Sequence, residues 1–146
     1  MESSAPVSPV QLINRIARLS ARWLEPQLQK LGLAVAQVPV FGAIERLGPL
    51  PQKELARLLC VEQPTIAQLL SRMERDGLIV RAPDPNDGRS SLINLTPMAL
   101  ERAEPAREML AEGREIAFRT MSTQEIETLC QLLQRVLTNI ETALGE

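Results

Sequence analysis

Between Gln52 and Thr96 the chain passes from helical apolar spacing to two short strand-like runs, with a turn signal at each change. Few folds accommodate that order. From Gln52 a helix is predicted that carries Leu55, Leu58 and Leu59 on one face and stops near Cys60 and Val61. A tight turn through Glu62 and Gln63 leads into a second helix, spanning about Glu62 to Asp76. Pro64 is tolerated at its start because a first-turn residue needs no backbone donor, and Gly77 closes it. Two helices joined by so few residues form a helix-turn-helix. Leu78-Ile79-Val80-Arg81 and Leu92-Ile93-Asn94-Leu95 then read as strands. The stretch from Ala82 to Ser91 is dense in Pro, Asn, Asp and Gly, which predicts an antiparallel hairpin with a long exposed loop, a wing.

On a helical wheel of ~100° per residue, Ile66, Leu69, Leu70 and Met73 of the second helix share one stripe. Thr65, Gln68, Ser71, Arg72 and Arg75 share the opposite one, which holds no acidic residue. Arg, Gln, Ser and Thr are the side chains that reach base edges and phosphate oxygens. Every soluble helix has a polar face, however, so this one also fits a solvated surface. At the wing, Arg89 is placed to enter a narrow, electronegative minor groove, with Asp87 positioned to hold it by an ion pair. The plainer reading there is an ordinary turn with an exposed Arg.

The flanking sequence is helical. Residues Met1 to Val7 lack periodicity and read as a frayed terminus. Ser8-Pro9 is a cap followed by a first-turn proline, and Leu12, Ile16, Leu19 and Trp23 repeat behind it to about Leu31, with Pro26 expected to bend or break the helix. Pro39 opens a short core helix through Phe41, Ile44 and Leu47, ended by Gly48 and Pro49. After Thr96-Pro97 a long helix turns Leu100, Ala103, Ala106, Met109, Leu110 and Ala117 inward, and Pro105 and Gly113 suggest a bend. Ser122 to Glu125 is a capping box, followed by Ile126, Leu129, Leu133, Val136, Leu137, Ile140 and Leu144 on one face of a last helix.

Composition narrows the function. The chain of 146 residues suits one domain, with 45% hydrophobic and 23% charged residues, as in ordinary globular proteins. It contains no His, which removes His-ligated zinc and His-assisted serine or cysteine catalysis, and no cofactor or catalytic motif is present. Cys60 and Cys130 form no CxxC pair and read as buried, inert thiols. No run approaches a membrane span and no signal peptide is evident, so a cytoplasmic location is expected.

The stretches Gln52-Lys53-Glu54-Leu55-Ala56, Gln63-Pro64-Thr65 and Leu69 through Leu78, then Arg81, Asp84 through Ser90 and Leu95-Thr96, resemble the MarR family of bacterial transcription regulators. The resemblance implies a mainly α fold with a small β-hairpin wing, in which residues 37–96 form a winged helix-turn-helix lobe. Within a single domain of residues 1–146, segments 8–36 and 97–146 would form a helical dimerisation region. It further implies a homodimer on double-stranded DNA, with Thr65, Gln68 and Arg72 facing the groove and Arg89 in the minor groove with Asp87 as its partner; Gln63, Ser71 and Arg75 complete the candidate DNA-binding set. Gln68 stands where Arg or Thr is often found in relatives. Trp23 and Phe41 are candidates for an effector pocket, since relatives often bind small aromatic or phenolic acids; otherwise both are core.

The net charge of −2 argues against bulk attraction to nucleic acid. Residues 52–96 carry six basic and six acidic side chains, whereas residues 97–146 carry five basic and nine acidic ones. Binding through the middle segment therefore has to rest on specific contacts rather than on charge density. A winged helix that docks only a protein partner is the alternative.

Overall fold

A computed structural model describes residues 7–145. Residues 1–6, which include most of the stretch expected to fray, lie outside it. The order is α1 (Pro9–Gln29), a 3-10 turn (Val35–Gln37), α2 (Val38–Leu47), β1 (Leu50–Pro51), α3 (Gln52–Leu58), α4 (Gln63–Arg75), β2 (Ile79–Asp84), β3 (Asp87–Leu95), α5 (Pro97–Phe118) and α6 (Thr123–Leu144). The chain forms two compact units, Met1–Leu110 and Ala111–Glu146.

The core of the first unit is built from the predicted apolar faces. Leu28, Val40, Leu55, Ile66, Leu70, Met73, Leu78 and Ile93 are fully enclosed, with Phe41 and Ile44 close to it. Pro26 does not break α1, which runs on through it to Gln29. The α5 stripe is shifted from expectation: Ala99, Ala103 and Ala106 are buried, while Leu100 and Ala117 are exposed. Small side chains at i, i+4 and i+7 let α5 approach the core closely, and Leu100 falls one position off that stripe.

The hairpin is longer than expected, with a bulge near its tip where the register shifts between Pro83 and Asp84. Its strands reach into the Pro-rich stretch, pairing Ala82 with Leu92 and Pro83 with Ser91, so that only Pro85 and Asn86 are left at the turn. Proline lacks an amide hydrogen and is therefore confined to edge strands. The strand order β1-β3-β2 places both Pro51 and Pro83 on edges. The two-residue β1 pairs Leu50 with Ile93 and Pro51 with Leu92, and has no counterpart among the expected elements.

The second unit is dominated by α6. Its capping box is present: Ser122 Oγ accepts from the Glu125 amide at 3.2 Å, and Glu125 Oε2 accepts from the Ser122 amide at 2.8 Å. These bonds favour the ionised carboxylate and hold the Glu125 pKa below its ordinary value. No residue of α6 is buried. Among the described residues no helix is long and apolar enough to cross a membrane.

Candidate nucleic-acid interface

Two helix ends of the same design set the position of α4. Beyond α3, Cys60 adopts a left-handed conformation at φ 51°, and the Val61 amide reaches back to the Ala56 carbonyl at 3.0 Å. Beyond α4, Gly77 does the same at φ 74°, and the Leu78 amide bonds the Met73 carbonyl at 2.8 Å. Both are Schellman-type ends, which reverse the chain within two residues. Glycine is the usual residue there, so Cys60 accepts backbone strain to make the turn between the two helices. Its thiol is exposed, as is that of Cys130, which corrects the reading of both as buried. Cys60 sits outside the helix it ends, and Cys130 lies on a helix that buries nothing.

On α4, Ile66, Leu70 and Met73 are buried while Gln63, Thr65, Gln68, Ser71, Arg72 and Arg75 are exposed. The cations on that face are not equivalent. Arg75 Nε is held by Asp76 Oδ1 at 3.0 Å. Arg72 has no ion-pair partner among the described residues, and neither has Arg89. Both are therefore available to an external anion.

Asp87 acts on the wing backbone rather than on the Arg89 guanidinium. Its Oδ1 accepts the Arg89 amide at 3.0 Å, as Asp84 Oδ1 accepts the Asn86 amide at 2.8 Å. Short carboxylates bonding two residues ahead stabilise turns, and here they do so on both sides of the wing tip. The expected ion pair is thus replaced by a contact that shapes the turn and leaves the guanidinium unpaired.

Sequence reasoning assigned no role to a polar chain that connects wing and helices. Arg81 of β2 donates to Glu74 Oε2 of α4 at 3.2 Å and to Gln52 Oε1 at 3.4 Å. The Gln52 amino group in turn donates to Gln63 Oε1 at 3.4 Å. The chain spans the starts of α3 and α4 and the root of the wing. A charged residue in the apolar run Leu78 to Arg81 was its one visible signal, because a half-buried guanidinium requires partners. Thr96 completes the frame: its hydroxyl donates to the Gly77 carbonyl at 2.6 Å and accepts the Ala99 amide at 3.1 Å, joining the end of α4 to the start of α5.

The two candidate pocket residues part company. Phe41 lines a partly open cavity of about 100 Å³ within the first unit, together with Leu33, Gln37, Val38 and Arg107. Trp23 is not part of its wall and is exposed on α1. Arg107 bonds both Glu45 and Glu104, and hydrogen bonding to Glu45 raises its pKa.

A family model described as the MarR family matches residues 31–90, covering α2 through most of the wing. A solved structure of a probable transcriptional regulator from Pseudomonas aeruginosa is 31% identical, with 88% of this chain and 96% of that one covered and a TM-score of 0.74. The chain belongs to the MarR family. Among its relatives, the HTH-type transcriptional repressor IacR of Pseudomonas putida is 28% identical over 87% of this chain and 78% of its own length. A cysteine-to-serine mutant of MarR from Escherichia coli, solved in complex with operator DNA, is 26% identical, with 87% and 91% of the two chains covered and a TM-score of 0.79. Like these MarR-family proteins, the chain is a transcriptional regulator with a winged-helix fold.

Proposed function

We propose that this MarR-family regulator binds double-stranded DNA as a cytoplasmic homodimer, on a pseudo-palindromic operator, without catalytic activity, and is released by a small-molecule effector. The observation that carries the reading is the pairing of an exposed, acid-free face of α4 with two cations, Arg72 and Arg89, that have no ion-pair partner among the described residues. The neighbouring acids are engaged elsewhere, Glu74 by Arg81 and Asp76 by Arg75. Arg72, Gln68, Thr65, Ser71 and Gln63 belong in the major groove in this reading, and Arg89 in the minor groove. A related structure that holds operator DNA supports it.

Self-association is supported by apolar side chains left in water. Leu133, Val136, Leu137 and Ile140 are exposed on α6, and Leu12, Ile16 and Leu19 on α1. Monomeric proteins rarely leave such extended apolar surface uncovered. A twofold dimer places half-sites about one helical turn apart, ~10 base pairs centre to centre.

A gel shift against the DNA upstream of the protein's own gene tests the proposal. Arg72→Ala and Arg89→Ala should each cost about 1–3 kcal/mol of operator affinity without altering sedimentation of the free protein. Unchanged affinity in both variants would remove the site assignment. Because residues 52–96 are charge-neutral, binding to random DNA should be weak at physiological salt. A protein that shifts no DNA but captures a protein partner through α4 would favour the interaction-module alternative.

A further inference from the structure

Resting on the DNA-binding reading, we propose that Arg81 and Gln52 position Gln63 as a hydrogen-bond donor toward the operator. Its amino group then meets a phosphate oxygen or a purine N7, and Gln63 does not read adenine with both ends of its carboxamide. What carries this is a one-directional relay, from Arg81 of β2 through Gln52 at the start of α3 to Gln63 at the start of α4.

The direction is dictated at the origin of the relay. A guanidinium carries donors only, whereas a carboxamide has an accepting oxygen at one end and a donating amino group at the other. Arg81 Nη1 therefore selects Gln52 Oε1, at 3.4 Å. That leaves the Gln52 amino group for α4, where it donates to Gln63 Oε1 at 3.4 Å. Turning either carboxamide over would set donor against donor and lose a bond. Arg81 is itself held in place, since its Nε donates to Glu74 Oε2 at 3.2 Å. The same ion pair occupies its charge, so Arg81 orients the relay rather than binding a phosphate.

What the relay leaves over is one donor. Gln63 is exposed, its oxygen is turned toward Gln52, and its amino group has no partner among the described residues. Reading adenine through glutamine takes both ends of the carboxamide, the oxygen for N6 and the amino group for N7. Gln63 has only the second to give, and phosphate oxygens and purine N7 atoms are the acceptors that match it. Gln68 differs: it makes no side-chain hydrogen bond among the described residues and keeps both ends for a base.

Quantitative gel shifts on the operator test this. Gln63→Ala should weaken binding about fivefold, and Gln63→Glu, which puts an acceptor where the amino group stood, about tenfold or more. Gln52→Glu still accepts from Arg81 but can no longer donate, so it turns Gln63 over and points its oxygen at the DNA. The Gln63→Ala penalty should then vanish beside Gln52→Glu, whereas an added charge acting alone would leave it at about fivefold. Replacing one operator phosphate by a methylphosphonate, or one purine by its 7-deaza analogue, should cost affinity in the native protein and not in Gln63→Ala. Whichever series responds identifies the acceptor. A penalty that persists in full beside Gln52→Glu, or that couples to loss of an adenine 6-amino group or to neither series, overturns the proposal. Unchanged affinity in Gln63→Ala, while Arg72→Ala is weakened, overturns it and leaves the regulator reading standing. A protein that shifts no DNA counts against that reading instead. The relay is then read by NMR of the free protein, where Gln52→Glu should move the side-chain amide resonances of Gln63 and unmoved resonances would refute it.

Discussion

Helices α4 and α6 carry the same kind of apolar stripe and end in opposite situations. In α4, Ile66, Leu70 and Met73 are enclosed by the chain's own core; in α6, spacing that is at least as regular leaves Leu133, Val136, Leu137 and Ile140 exposed. Periodicity reveals which side of a helix avoids water, but not which molecule covers it. The first helix is complete within one chain, whereas nothing among the described residues buries the stripe of the second.

The largest effect should come from the complete helix. Leu70→Ala removes a fully buried side chain and should cost about 2–5 kcal/mol in denaturant titrations, independent of protein concentration. A loss below about 1 kcal/mol would break the contrast. Next comes Leu133→Asp combined with Ile140→Asp. Both side chains are already exposed within the chain, so helix content by circular dichroism should be kept while self-association weakens at least roughly thirtyfold in sedimentation equilibrium. Unaltered association would show that the α6 face has another role. The smallest effect separates the two helix starts. Glu125 has a folded-state pKa below its ordinary value of 4.5, so its support for the first turn of α6 is complete above that value. It is lost as pH falls through the lower, folded value. The Ser122 amide should therefore exchange faster on acidification, except in Glu125→Gln, where exchange should not follow carboxylate titration. At α4 the cap residue, Glu62, makes no side-chain cap bond, so the Thr65 amide should show no such response.

Local chemistry was legible in the sequence and pairing across the chain was not. The Ser122 to Glu125 box, the stop at Gly77 and the two faces of α4 depend on neighbours within one or two turns, and spacing displays them directly. The extension of the hairpin past Pro83 depends on β2 being an edge strand, which is a property of the sheet and not of the segment. Two-residue β1 carries too short a pattern to be seen before its partner is known. Cys60 ends a helix where Gly is the usual signal, and nothing about a cysteine announces positive φ. In the candidate interface, residue types and helix face were readable, but the partners were not: Asp87 bonds backbone, Arg75 is occupied by Asp76, and Arg81 connects three elements.

The strand-built wing has a thermodynamic consequence. Had the stretch from Ala82 to Ser91 been a loop, docking it would have required freezing its backbone, at about 1–2 kcal/mol per residue. Instead the strands pair as far as Pro83 with Ser91 and again at Asp84 with Asp87, Arg89 sits in the bulge between those pairs, and both sides of the tip are tied by aspartates. Most of that ordering is completed during folding. The wing is preorganised, so whatever surface receives Arg89 has little more than one side chain left to immobilise.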